Sequence, residues 1–128
     1  MGLVLAAMGG AQLSMDTVIE LGLKLPEVTE SPHYGVRAVK LNGRMLACTP
    51  VNKSAEPNSA AVAMDLKRRA ALLKSHPSLY YITDHYAAYP TMLIRLSKIS
   101  RTELVRTLRI AWDFVSSEST APRARRRR

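Results

Sequence analysis

Apolar residues recur along this chain with two periods, and each period predicts a type of element. Val18, Leu21 and Leu25 fall at helical spacing, with Ile19 widening the apolar face, so residues 16–24 read as a first helix. Ser14 or Asp16 can cap it. Pro26 forces Leu25 out of helical geometry and ends it. Gly22 inside it costs about 1 kcal/mol against alanine. Residues 36–41 and 44–49 then flank Asn42-Gly43. A two-residue Asn-Gly turn supplies the positive φ angles of a type I′ turn, whose twist matches that of the strands it joins. Residues 50–58 form a loop with Lys53, Ser54, Pro57 and Asn58 as breakers, and 60–65 read as a third strand.

Asp65 can cap a second helix over 66–75, with Leu66, Ala70 and Leu73 as its inner stripe and Pro77 closing it. A fourth strand follows at 79–82. Residues 91–97 make a fifth, with Met92, Ile94 and Leu96 on one face and Leu93 and Arg95 on the other. The last helix opens on Ser100-Arg-Thr-Glu103, a capping box, and carries Leu104, Leu108, Ala111, Trp112 and Val115 on one face. The predicted order is α-β-β-β-α-β-β-α: an α+β fold in which a single, mainly antiparallel sheet has helices packed on one face.

Charge adds a division of the chain. Of a net charge of +9, five charges are arginines in the last six residues: Arg123, Arg125, Arg126, Arg127 and Arg128. Without them 14 basic side chains face 10 acidic ones, a balance of +4. Residues 116–122 read as a polar linker, and 118–128 as a disordered tail, since like charges repel and nothing apolar anchors them. Residues 1–14 read as a loose extension before a domain spanning 15–117, and Met15 offers an alternative start. The apolar run at the beginning is too short to span a bilayer. The first basic residue is Lys24, so the positive leader of a secretory signal is missing. One cysteine, Cys48, excludes an internal disulfide and a cysteine-rich zinc site. A cytoplasmic protein with no membrane association and no cofactor is expected.

Three stretches carry a family likeness. The first is Leu25-Pro26-Glu27-Val28-Thr29-Glu30-Ser31 followed by His33-Tyr34-Gly35. The second is the hairpin Val39-Lys40-Leu41-Asn42-Gly43-Arg44-Met45-Leu46-Ala47. The third, and most specific, is Tyr80-Tyr81-Ile82-Thr83-Asp84-His85-Tyr86-Ala87-Ala88-Tyr89-Pro90, leading into Met92-Leu93-Ile94-Arg95-Leu96 and the Ala111-Trp112 helix. Over residues 15–117 the chain resembles the MmcQ/YjbR-like bacterial proteins. The resemblance implies a CyaY-like α+β fold. It implies no catalytic residues, and a DNA-binding role only by fold-level analogy.

Two sets of residues are candidates for function. Arg37, Lys40 and Arg44 on or beside the hairpin, with Lys67, Arg68 and Arg69 at the start of the second helix, form a basic set suited to nucleic acid. Cations at that helix end oppose its dipole and so invite an anionic partner. Arg125, Arg126, Arg127 and Arg128 would add attraction to phosphate that is independent of sequence. The alternative is a small-ligand or protein site on the sheet face and the 80–90 loop, which holds four of the five tyrosines. Tyr81, Asp84, His85, Tyr86 and Tyr89 are its candidates. Asp84 and His85 are adjacent and would point opposite ways on an extended chain, which argues against an acid–base pair. His33, His76 and His85 match no metal-ligand spacing, and Cys48 reads as a small buried strand residue. A non-enzymatic binding protein is the expectation.

Overall fold

The computed structural model describes residues 12–120. Their elements are α1 (Met15–Gly22), β1 (Val28–Glu30), β2 (Ala38–Leu41), β3 (Arg44–Cys48), β4 (Ser59–Ala63), α2 (Leu66–Ser75), β5 (Tyr80–Tyr81), α3 (Asp84–Ala87), β6 (Thr91–Arg95) and α4 (Arg101–Thr120). The strands form one antiparallel six-stranded sheet in the order β1-β2-β3-β4-β6-β5. The fold is α+β, as the periodicity predicts. Asn42 and Gly43 turn the β2–β3 hairpin at φ 52° and 82°, the angles of a type I′ turn. A register shift between Val39 and Lys40 kinks β2.

The main core lies on one face of the sheet. Leu104, Leu108, Ala111 and Val115 of α4, with Val18, Ile19 and Leu21 of α1, bury Val39, Leu41, Leu46, Val62, Met92 and Ile94. Gly22 has a packing reason. A Cβ there would lie 3.0 Å from Val39 Cγ2, so a larger residue would require Val39 to shift by a few tenths of an ångström. Polar groups fix the register of the layers. The Tyr80 hydroxyl donates to the Glu103 carboxylate at 2.9 Å and shares a hydrogen with the Thr107 hydroxyl at 2.6 Å. The Trp112 indole N–H donates to the Pro26 carbonyl at 2.9 Å. Ser100 caps α4 through the Glu103 N–H at 3.1 Å, while the Glu103 carboxylate is turned toward Tyr80.

Four expectations are corrected. Strand β1 and helix α3 are additional elements, one of three residues and one of a single turn, both too short to show a period. The last helix runs through Thr120, so a linker from 116 and a boundary at 117 are replaced by helix; no proline or glycine intervenes before Pro122. Residues 12–14 are attached to the domain: Asn58 donates to the Gln12 side chain and to the Leu13 carbonyl, and Leu13 packs on the core. Of the predicted inner stripe, Leu66 and Ala70 are exposed and only Leu73 is half-buried, because α2 packs against β5 and β6 at the edge of the sheet. The arginine run at 123–128 and residues 1–11 lie outside the described residues.

Candidate functional site

The second face of the sheet carries small side chains. Ala38, Cys48 and Ala61 sit there beside Leu93, and among the described residues the only helix in this cluster is the single turn carrying Tyr86. Three connecting segments rise around these residues and close a cleft of about 350 Å³. Met45, Cys48, Ala61 and Thr91 come from the strands. His33 and Tyr34 come from one turn, Val51 from the 49–58 loop, and His85, Tyr86, Tyr89 and Pro90 from the segment around α3.

The first wall is a second type I′ turn. The His33 N–H donates to the Val36 carbonyl at 2.9 Å and the Val36 N–H returns the bond at 3.2 Å. Tyr34 and Gly35 occupy the central positions at φ 52° and 83°. Tyr34 is 85% exposed, and its ring stands edge-on to His33, with ring centres 4.6 Å apart.

The opposite wall is held by an arginine. Arg69 projects from α2 into the 86–91 segment and donates to the carbonyls of Tyr89 at 2.8 Å, Ala87 at 3.0 Å, Thr91 at 3.0 Å and Tyr86 at 3.4 Å. A planar guanidinium with five N–H groups suits such convergence. Tyr86 is buried beneath this segment, and its hydroxyl accepts the Asn52 N–H at 3.2 Å, which ties α3 to the third loop. His85 stands edge-on to Tyr86 at 4.8 Å and tilted against Tyr89 at 5.9 Å.

None of the residues lining the cleft is Lys, Arg, Asp or Glu. Burial pushes the Cys48 thiol up to about 11, so it is neutral near pH 7. Burial, and then the charge of Lys40, hold His33 below its usual value, which favours the uncharged imidazole.

The tyrosine candidates separate into two roles. Tyr86 and Tyr89 line the cleft together with His85. Tyr81 does not: its hydroxyl accepts the Glu56 N–H at 2.7 Å and meets Ser59 Oγ at 2.6 Å, and Arg95 lies over its ring at 4.5 Å. Arg95 in turn grips Glu56 with bonds of 2.9 and 3.0 Å, so Tyr81 belongs to the frame. Asp84 is exposed in the first turn of α3.

The basic candidates are not brought together on one face. Arg37 is held by Asp16 and Glu30, Arg69 by the loop carbonyls, and Lys40 lies on β2 opposite Thr29 of β1. Arg44 and Arg68 do share a region beside the end of α4. Each lines a hollow there with Phe114 and Glu118, and Asp65 and Asp113 make that surface mixed in sign. Lys67 is exposed on α2. Among the histidines, His33 and His85 both line the cleft and His76 stands edge-on to Tyr80. Among the described residues no three His, Cys, Asp or Glu side chains gather as a metal-ion set. Sequence reasoning missed Tyr34, Met45 and Val51 as site residues. The only usable signal was Tyr34-Gly35, a turn dipeptide ahead of a strand.

The α+β fold is shared with a protein of known structure. The crystal structure of Deinococcus radiodurans protein DR2400, which carries a DUF419 domain, superposes with a TM-score of 0.67 at 19% identity, over 86% of this chain and 83% of that one. At that identity the likeness is one of fold. No family model matches the chain, and no curated protein matches it. Among the described residues no helix is long and apolar enough to cross a membrane.

Proposed function

We propose that this chain is a non-enzymatic binding module of the MmcQ/YjbR type that takes a small ligand in the cleft on the open face of its sheet. The family part rests on the three sequence stretches above and on the fold shared with a DUF419 domain, a family related to MmcQ/YjbR. One observation carries the ligand part. Six large apolar side chains are well exposed among the described residues, and three of them, Tyr34, Val51 and Tyr89, rim this single cleft. Exposed apolar surface gathered around a concavity of this size is the signature of a site rather than of ordinary surface. A cytoplasmic location goes with this reading, because the one cysteine is a buried thiol.

The test is a thermal-shift screen of small uncharged compounds against the full chain and against Val51→Asp, which places a charge on the exposed rim. Compounds that stabilise the first and not the second support the cleft. Compounds that stabilise both equally bind elsewhere and remove that support.

Nucleic acid is the second reading, favoured by Arg44 and Arg68 lining neighbouring hollows beside Phe114 and Glu118 and by the five arginines among residues 123–128 of the sequence. Binding to duplex DNA across a salt series, for the full chain and for a version ending at Ala121, tests it. Five phosphate contacts from the tail give a slope of about −4.5 in the full chain that is lost in the shorter one. Binding by neither removes this reading.

A further inference from the structure

Two hairpin turns among the described residues have matching φ angles and different tips. One places Asn42 and Gly43 at φ 52° and 82°, the other Tyr34 and Gly35 at φ 52° and 83°. The left-handed region is unfavourable for a residue with a Cβ, and asparagine tolerates it best after glycine. Asn42 therefore suits its position and Tyr34 does not. Burial of the side chain would compensate, yet Tyr34 is 85% exposed. Its ring neighbour among the described residues is the adjacent His33, edge-on at 4.6 Å. A bulky aromatic held in a disfavoured conformation, with little packing in return, points to a role outside the fold.

The position of the ring says what the role is. Tyr34 stands at the rim of the cleft, facing the segment that carries His85 and Tyr89. Rings from both walls thus flank one hollow whose lining holds no permanent charge. Aromatic rings favour other rings as neighbours, and the tilted His85–Tyr89 pair and the edge-on His33–Tyr34 pair each set ring surface at the cleft. An anion or cation entering here would lose its hydration without a charged partner. Resting on the cleft as a ligand site, we infer that its ligand presents a flat, uncharged aromatic ring and that Tyr34 is the ring that covers it.

A matched pair of probes tests this: 2-naphthol, which is planar, and decahydro-2-naphthol, the same skeleton saturated. Amide NMR titrations of the full chain should show 2-naphthol shifting residues 33–36 and 85–90, with affinity about tenfold above the saturated probe. Tyr34→Asn should unfold at the same or a higher temperature and bind 2-naphthol about tenfold more weakly, while Tyr34→Phe keeps the affinity. Equal affinity for the two probes, or unchanged 2-naphthol binding by Tyr34→Asn, overturns the ring inference and leaves the cleft as a ligand site. Absence of cleft shifts with either probe overturns both.

Discussion

Replacing Arg69 with methionine removes a guanidinium that four carbonyls of the 86–91 segment share, while keeping a stem of similar length. Three of the bonds are 2.8–3.0 Å long and one is 3.4 Å. A bond of this kind contributes about 1 kcal/mol net in mutational series, and somewhat more when the donor is charged. Counting the three short bonds gives about 3 kcal/mol. Water can reach part of the segment and repair some of the loss, so about 2 kcal/mol is expected. For a domain of this size that lowers Tm by about 8 °C. The effect should also be local, because Arg69 holds the wall that carries His85 and Tyr89. Limited proteolysis should cut the variant within 84–90 well before global unfolding. Arg69→Lys should recover less than half of the lost stability, since one ammonium cannot span four carbonyls. A Tm change under about 2 °C in Arg69→Met, or full recovery by lysine, would refute the clamp.

Other outcomes follow from single contacts. Gly22→Ala should lower stability in urea denaturation, although alanine is the better helix former by about 1 kcal/mol, because its Cβ meets the stiff, fully buried Val39 at 3.0 Å. Tyr80→Phe should cost about 1–2 kcal/mol in the same assay, since the Glu103 and Thr107 groups lose a buried partner. His33 is held below its ordinary 6.5 in the folded protein. The unfolded chain therefore takes up its proton first as pH falls. The His33 contribution is intact above 6.5, declines as pH drops through 6.5, and levels off below the folded value. The Tm difference between the native chain and His33→Gln should accordingly change between pH 7.5 and pH 5 in the direction that penalises the native chain at low pH.

Elements with a full period or a turn dipeptide were legible in the sequence. The Asn42-Gly43 hairpin, the alternation of β6, and the stripe of α4 each depend on local chemistry that a few residues state outright. Strand β1 and helix α3 were not legible, because three residues or one turn carry no period and exist only through partners far along the chain. Val28 pairs with Leu41, and Tyr86 bonds the N–H of Asn52. The site was half legible. His85, Tyr86 and Tyr89 announce an aromatic segment, yet nothing local says that Tyr34 and Val51 will face them across the sheet. Arg69 shows the same limit. Next to Lys67 and Arg68 it reads as part of a basic surface, and only the fold turns it inward to hold a loop.

The most direct test of the cleft is an amide-resolved NMR map of the full chain with a mixture of uncharged fragments, planar and saturated. Shifts confined to residues 33–36, 48–52 and 84–91 are predicted, with α2 and the end of α4 unchanged apart from Arg69. Shifts centred on Arg44, Arg68 and Phe114, with the cleft silent, would contradict a ligand site on the open face of the sheet.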